Sequence, residues 1–213
     1  MSGALLGTRL VQAQWRRVGL PIAGGPVIAG GLVAVAGWLV SSPWPTSQAM
    51  TLVTWLAQVF VICAGVCVAV ALTGDPLIEL HESTTVGFRT VQLLRGLLVT
   101  VSGLAGAVVM VVPLHLLGMW PRDIGWASVA SPAGAVVFVA VIALFAAAYA
   151  GTASATTIAV VAAWMFLAML WDPYVLPLHL QRGVPLGAAA VLLVLAWQRL
   201  GNSERNIAKL ATV

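Results

Sequence analysis

Six runs of apolar residues dominate the chain, at roughly 18–40, 51–72, 96–118, 132–150, 153–171 and 184–199. About 20 apolar residues in a helix cross a hydrocarbon core of about 30 Å, so each run predicts one transmembrane helix. The last run is short and needs flanking residues such as Gln198 and Arg199 to snorkel. Only Gly151-Thr152 separates the fourth run from the fifth. One helix over both would hold about forty residues, roughly twice what the bilayer takes. A tight hairpin at Gly151 is therefore predicted. Pro113 is expected to kink the third span near one end. Ahead of the first run, Arg9, Gln12 and Arg16 fall on one helical face, and Leu6, Leu10, Val11 and Trp15 spread over the other, with Leu5 breaking the pattern. That predicts an amphipathic interfacial helix over 2–17. The first run exceeds the 7–15-residue core of a secretory signal and reads as a span.

Composition agrees. Hydrophobic residues make up 61% and charged residues 8%, against about 45–50% and about 25% in soluble domains. A surface so poor in charge needs lipid around it. The expected fold class is all-α: a polytopic membrane protein of six transmembrane helices behind an interfacial helix. Residues 1–213 then form a single transmembrane domain, with no room for a separate catalytic one.

Charge sets the expected orientation. With the N-terminus inside, the inner segments hold Arg9, Arg16, Arg17, Arg89, Arg95, Arg199, Arg205 and Lys209, and the outer loops only Arg122 and Arg182. Eight against two places both termini in the cytoplasm of a cell membrane. Ser47, Asp123 and Gln181 then fall outside, and Ser83, Thr152 and Ser203 inside. Trp44, Trp120, Trp126, Trp171 and Tyr174 in the outer loops fit an aromatic belt. The net charge of +4 comes from these boundary cations, so no nucleic-acid partner is implied. Cys63 and Cys67 lie four apart in an apolar run, where a helix holds them too rigidly for an easy disulfide. They read as small packing residues, with no metal site because no third ligand is near.

Small residues recur at packing distance: Ser102 with Gly106; Ala143, Ala147 and Gly151; Ala155, Ala159 and Ala163. Such stripes let helices approach closely in lipid. The segment Thr73–Arg95 is the longest polar stretch between spans and holds three of the six acids, Asp75, Glu79 and Glu82. Asp75 before Pro76 is a helix start, carboxylate cap followed by a first-turn proline. Glu79 and Glu82 share one face, while Leu77, Ile78 and Leu80 supply an apolar side. Ser83, Thr84 and Thr85 interrupt this helix and can cap a second, from about Val86 through Arg95 into the third span. Anionic lipid repels acids, so a short acidic helix here suits a protein groove better than a membrane surface.

In layout the chain resembles the permease subunit of an ABC-type exporter, of the class with six spans per subunit. The likeness in sequence is concentrated in residues 74–95, as Asp-Pro-x-x-Glu-Leu-x-x-Ser-x-x-x-x-x-Arg. It implies a coupling helix docking into an ATP-binding cassette ATPase, with Asp75, Leu77, Glu79, Leu80, Glu82, Ser83, Arg89 and Arg95 in the coupling hairpin. It also implies a second permease copy or a related permease, membrane lipid around the pair, and no cofactor. The segment Trp171–Gly183 departs from the family, leaving space only for a short external helix.

The chain has no Gly-x-x-x-x-Gly-Lys-Ser/Thr loop, and Lys209 is its only lysine, so ATP hydrolysis is expected in a separate chain. Zinc-protease and serine-hydrolase motifs are also absent. A redox carrier or embedded enzyme would draw on His115, His179, Asp172 and Asp123, all expected at the outer edge. Paired haem ligation by His115 and His179 is the sharpest version of that alternative. A channel or assembly factor is the third reading, weakened by the lack of a central polar ring.

Overall fold

The computed structural model describes residues 12–16, 18–73 and 88–201. Six long helices account for most of them: α1 (Leu20–Ser41), α2 (Thr46–Thr73), α3 (Phe88–Leu116), α4 (Ala130–Ala150), α5 (Ala153–Met165) and α6 (Leu178–Leu200). A 3-10 turn, Ala127–Val129, leads into α4, and a π-helical turn, Phe166–Trp171, extends α5. With α5 counted through its π-helical turn, as Ala153–Trp171, all six are long and apolar enough to cross a membrane. The chain is thus an all-helical protein with the architecture of a multi-pass membrane protein.

The Gly151 hairpin is present. Gly151 closes α4 in the left-handed conformation (φ 71°), which glycine adopts without a Cβ clash, and Thr152 then caps α5 by accepting from the Ala155 N–H. Several helices begin earlier than the apolar runs that predict them, α2 at Thr46 rather than 51 and α6 at Leu178 rather than 184. α3 starts at Phe88, close to the helix expected from about Val86 into the third span, and so carries polar turns ahead of the apolar run. At the starts of α3 and α6 polar residues find partners within the bundle, although Gln92 Oε1 and Arg182 Nε have none among the described residues. Gln92 donates to the Leu72 carbonyl (3.2 Å), and the Arg182 guanidinium grips Asp172. α6 also runs through Pro185, which has no N–H to give the carbonyl of Gln181 four residues back. The Trp171 indole donates to that carbonyl instead (2.9 Å). α3 passes Pro113 and ends three residues later, at Leu116.

Packing follows the small residues. α1 lies against α3 and α2; α2 also touches α3, α4 and α5; α4 also touches α3, α5 and α6. α1 and α3 cross at Gly30 and Gly106. A Cβ on Gly30 would stand 2.2 Å from the Gly106 carbonyl oxygen, and one on Gly106 would stand 2.4 Å from that of Pro26. Only glycine allows this approach, so the Ser102/Gly106 stripe serves a contact within the chain. Ala143 and Ala163, from the other two stripes, are also buried. α4 is the central element, with 50% of its apolar window enclosed against 22% for α5 and 28% for α6. The core gathers Val53, Phe60, Val99, Met110, Leu114, Val139 and Val160. Leu20, Ile28, Leu32, Trp38, Ile158, Leu170 and Val191 face outward, a surface that lipid can cover.

Of the interfacial helix expected over 2–17, residues 12–16 are described. They are helical and turn Gln14 inward while Trp15 and Arg16 stay exposed.

Candidate functional site

Helix alternation gives the bundle two ends. One brings together residues 12–18, the end of α2, the start of α3 and the end of α6. Here lie the two described members of the expected coupling set. Arg95, 4% exposed, donates from Nε to Gln14 Oε1 at 2.7 Å. Arg89 stacks its guanidinium over the Trp197 ring, 3.9 Å from the centroid. Both arginines thus engage their own chain: Arg95 ties the N-terminal segment to α3, and Arg89 ties α3 to α6. Asp75, Leu77, Glu79, Leu80, Glu82 and Ser83 lie outside the described residues. Cys63 and Cys67 are free thiols in α2.

The opposite end holds the loops 42–45, 117–126 and 172–177, with Trp44, Trp120, Trp126 and Tyr174. A cavity of about 720 Å³ opens there between the first turns of α2, the start of α4, and the connection from α5 to α6. Its apolar walls include Trp55, Val61, Trp120, Ala135 and Leu176; its polar ones include Thr51, Thr54, Gln58, Ser131, Arg122, Asp172 and Arg182.

The polar wall is organised by one ion pair. Arg182 donates Nη1 to Asp172 Oδ1 (2.8 Å) and Nη2 to Oδ2 (2.7 Å), a two-pronged contact, while Nη2 also reaches Ser131 Oγ (3.1 Å). Both side chains are largely enclosed, at 8% and 13% exposure. The fit depends on Gly134 of α4, over which the aliphatic stem of Arg182 lies; a Cβ there would be 2.9 Å from Arg182 Cδ. The Nε of Arg182 is buried without an acceptor among the described residues. Arg122 closes the rim. It adopts φ 55°, which non-glycine residues rarely do, and donates Nη1 to the Asp172 carbonyl at 3.2 Å.

Asp123, next in sequence, belongs to a separate cluster. It hydrogen-bonds His115 Nδ1, accepts from the Gly125 N–H (2.8 Å) and bonds the Ser128 hydroxyl (3.0 Å). The bond to His115, ahead of those to Ser128 and Gly125, holds its carboxyl below the ordinary 3.8. His115 also meets Trp126 edge-on, with centroids 5.0 Å apart. His179 is exposed at the start of α6. Among the described residues no three His, Cys, Asp or Glu side chains converge as metal ligands would.

The four ionisable residues expected at this edge therefore divide. Asp172 lines the cavity, His115 and Asp123 form their own cluster, and His179 stays on the surface. Sequence reading missed the cavity's contributors from α2 and α4. It also placed Arg182 only as a topology residue. The available signal was one acid and one base ten residues apart in the last loop.

No family model, no curated protein and no solved structure matches this chain.

Proposed function

We propose that this chain is the transmembrane permease subunit of an ATP-driven ABC-type exporter in the cell membrane. It works with a separate ATP-binding cassette ATPase and with a second permease copy or a related permease. The observation that carries the reading is the continuity of α2. This helix runs unbroken from the cavity wall at Thr51–Val61 to Thr73, at the base of the acidic segment 74–87. Its 28 residues extend about 42 Å at about 1.5 Å per residue, more than a hydrocarbon core of about 30 Å. A rigid rod of that length can carry displacement from a docking hairpin on one side of the membrane to a cavity on the other. Alternating access needs such a connection. α3, with 29 residues, leads away from the other side of the same segment. The gathering of Arg16, Arg89, Arg95 and Arg199 at the hairpin end supports a cytoplasmic position for it.

The test is affinity purification of the full chain from its native membrane. An ATP-hydrolysing chain should co-purify. Glu79→Lys with Glu82→Lys should release it, while Glu204→Lys should not. Removing one side of a partly buried charge pair costs about 2–5 kcal/mol, whereas an exposed acid contributes under about 1 kcal/mol. Affinity should therefore fall at least about ten-fold. Retained partner binding and transport in the double variant would sink the coupling assignment.

A further inference from the structure

We propose that the cavity at the tryptophan-rich end binds a single anionic amphiphile, with its charged head at Arg122 and its apolar body between Trp55 and Trp120. The argument begins with charge. Three ionisable side chains line the cavity: Arg122, Arg182 and Asp172. Both carboxylate oxygens of Asp172 are taken by Arg182, so that pair neutralises itself. Among the described residues Arg122 engages only the Asp172 main-chain carbonyl, through one of the five N–H donors a guanidinium carries. Asp123 does not line the cavity, and its oxygens go to His115, Gly125 and Ser128. The cavity thus presents one uncompensated positive charge at its rim. The same wall also holds a donor without an acceptor, Arg182 Nε.

Much of the hydrogen-bonding capacity of the remaining wall is spent within the protein, which disfavours a strongly polar cargo. Thr51 and Thr54 donate their hydroxyls to the Ser47 and Met50 carbonyls of their own helix, each at 2.8 Å. The Trp164 indole donates to the Gln58 carbonyl, and the Trp171 indole to that of Gln181. With the two threonine hydroxyls and the Gln58 and Gln181 carbonyls engaged, the Gln58 amide and the Ser131 hydroxyl are the main uncharged side-chain donors left on the wall, too few for the polar groups of a sugar or peptide. An apolar chain or ring system needs none. The volume of about 720 Å³ falls within the range of about 300–1,000 Å³ that accommodates one small molecule. Arg122 is held in a strained backbone conformation at the mouth, which is common where a side chain is positioned for binding.

This assignment deepens the exporter reading by naming a cargo class, and it rests on that reading only in calling the ligand cargo. Ligand binding without an ATPase partner would leave the assignment standing and remove the exporter. An ATPase partner without ligand binding would do the reverse.

The experiment uses the full chain in phosphatidylcholine nanodiscs. Three photoreactive dodecyl probes are compared: a phosphate, an alcohol and a trimethylammonium. Cross-links are then mapped by peptide mass analysis. The phosphate probe should label residues 51–61 and 120–135 at least about ten-fold above the other two, and unlabelled dodecyl phosphate should compete. Arg122→Gln should bring phosphate labelling down to the alcohol's level. Thr54→Trp, which fills the cavity, should abolish cavity labelling by all three probes. Adding phosphatidylglycerol to the discs separates two sources of the same chemistry. Displacement identifies a resident anionic lipid as the ligand, and persistence a single-chain one; both support the class. Equal labelling by the three probes, unaffected by Arg122→Gln, would overturn the proposal. So would phosphate labelling confined to the lipid-facing surface of α6.

Discussion

Asp172 and Arg182 are the side chains whose loss the bundle should feel most sharply. They are 13% and 8% exposed and joined by two short hydrogen bonds. An ion pair taken from water gains little net stability, but removing one partner strands the other. Asp172→Asn should therefore cost about 3–5 kcal/mol, the range for breaking a buried pair. Asp172→Leu combined with Arg182→Met should recover much of that loss, because no unpaired charge remains. Unfolding midpoints of the two variants in the same detergent decide it. If the double variant is less stable than Asp172→Asn, the pair contributes net stability and this reasoning is wrong. The pair was half legible in the sequence. Asp172 and Arg182 stood out as isolated charges in an apolar region, but nothing in their spacing said that Gly134, on another helix, would leave room for the arginine stem.

At the level of helices, apolar run length identified all six and placed the Gly151 turn. It placed the beginning of α6 six residues late, at 184 rather than Leu178, whereas the helix expected from about Val86 into the third span starts at Phe88. Reading by hydropathy ends a span at charge, whereas backbone hydrogen bonding continues wherever the bundle supplies partners. Arg95 and Gln92 extend α3 because Gln14 and the Leu72 carbonyl meet them. The start of α6 depends on Trp171, whose indole takes the Gln181 carbonyl that Pro185 leaves open. Trp171→Phe should destabilise the protein by about 1 kcal/mol through that bond, besides any packing loss. In a Pro185→Ala background the restored N–H can take the carbonyl, so the same Trp171→Phe change should cost less. A double-mutant cycle on thermal unfolding reads the difference. Additive effects would mean that the indole bond does not compensate for the proline.

For the whole molecule, the safest expectation is topology. Cysteine placed at Ser47 or Asp123 should react with an impermeant reagent from outside, and cysteine at Thr152 should react only from inside, after replacement of Cys63 and Cys67. All three positions are exposed. Gln181 suits this purpose poorly, since it is 8% exposed and its amide reaches the Asp172 carbonyl. His179, two residues earlier and exposed, replaces it. Reaction of Thr152→Cys from outside would invert the orientation. It would also place residues 74–87 on the wrong side for an intracellular ATPase. The cavity was illegible in the sequence, because its walls come from segments around 51–61, 120–135 and 168–182, and no local pattern links them.

The ion pair also bears on how the last helix is put in place. Asp172 and Arg182 are ten residues apart, whereas Ser131, the other oxygen that Arg182 reaches, is 51 residues away. A short loop closes at lower entropic cost than a long one. During synthesis, then, the arginine can find its carboxylate within the newly emerged segment before α6 has settled on α4. The final hairpin can enter the membrane with those two charges already cancelled. Contact with Ser131 and Gly134 afterwards locks an arrangement that neighbouring residues have formed between themselves.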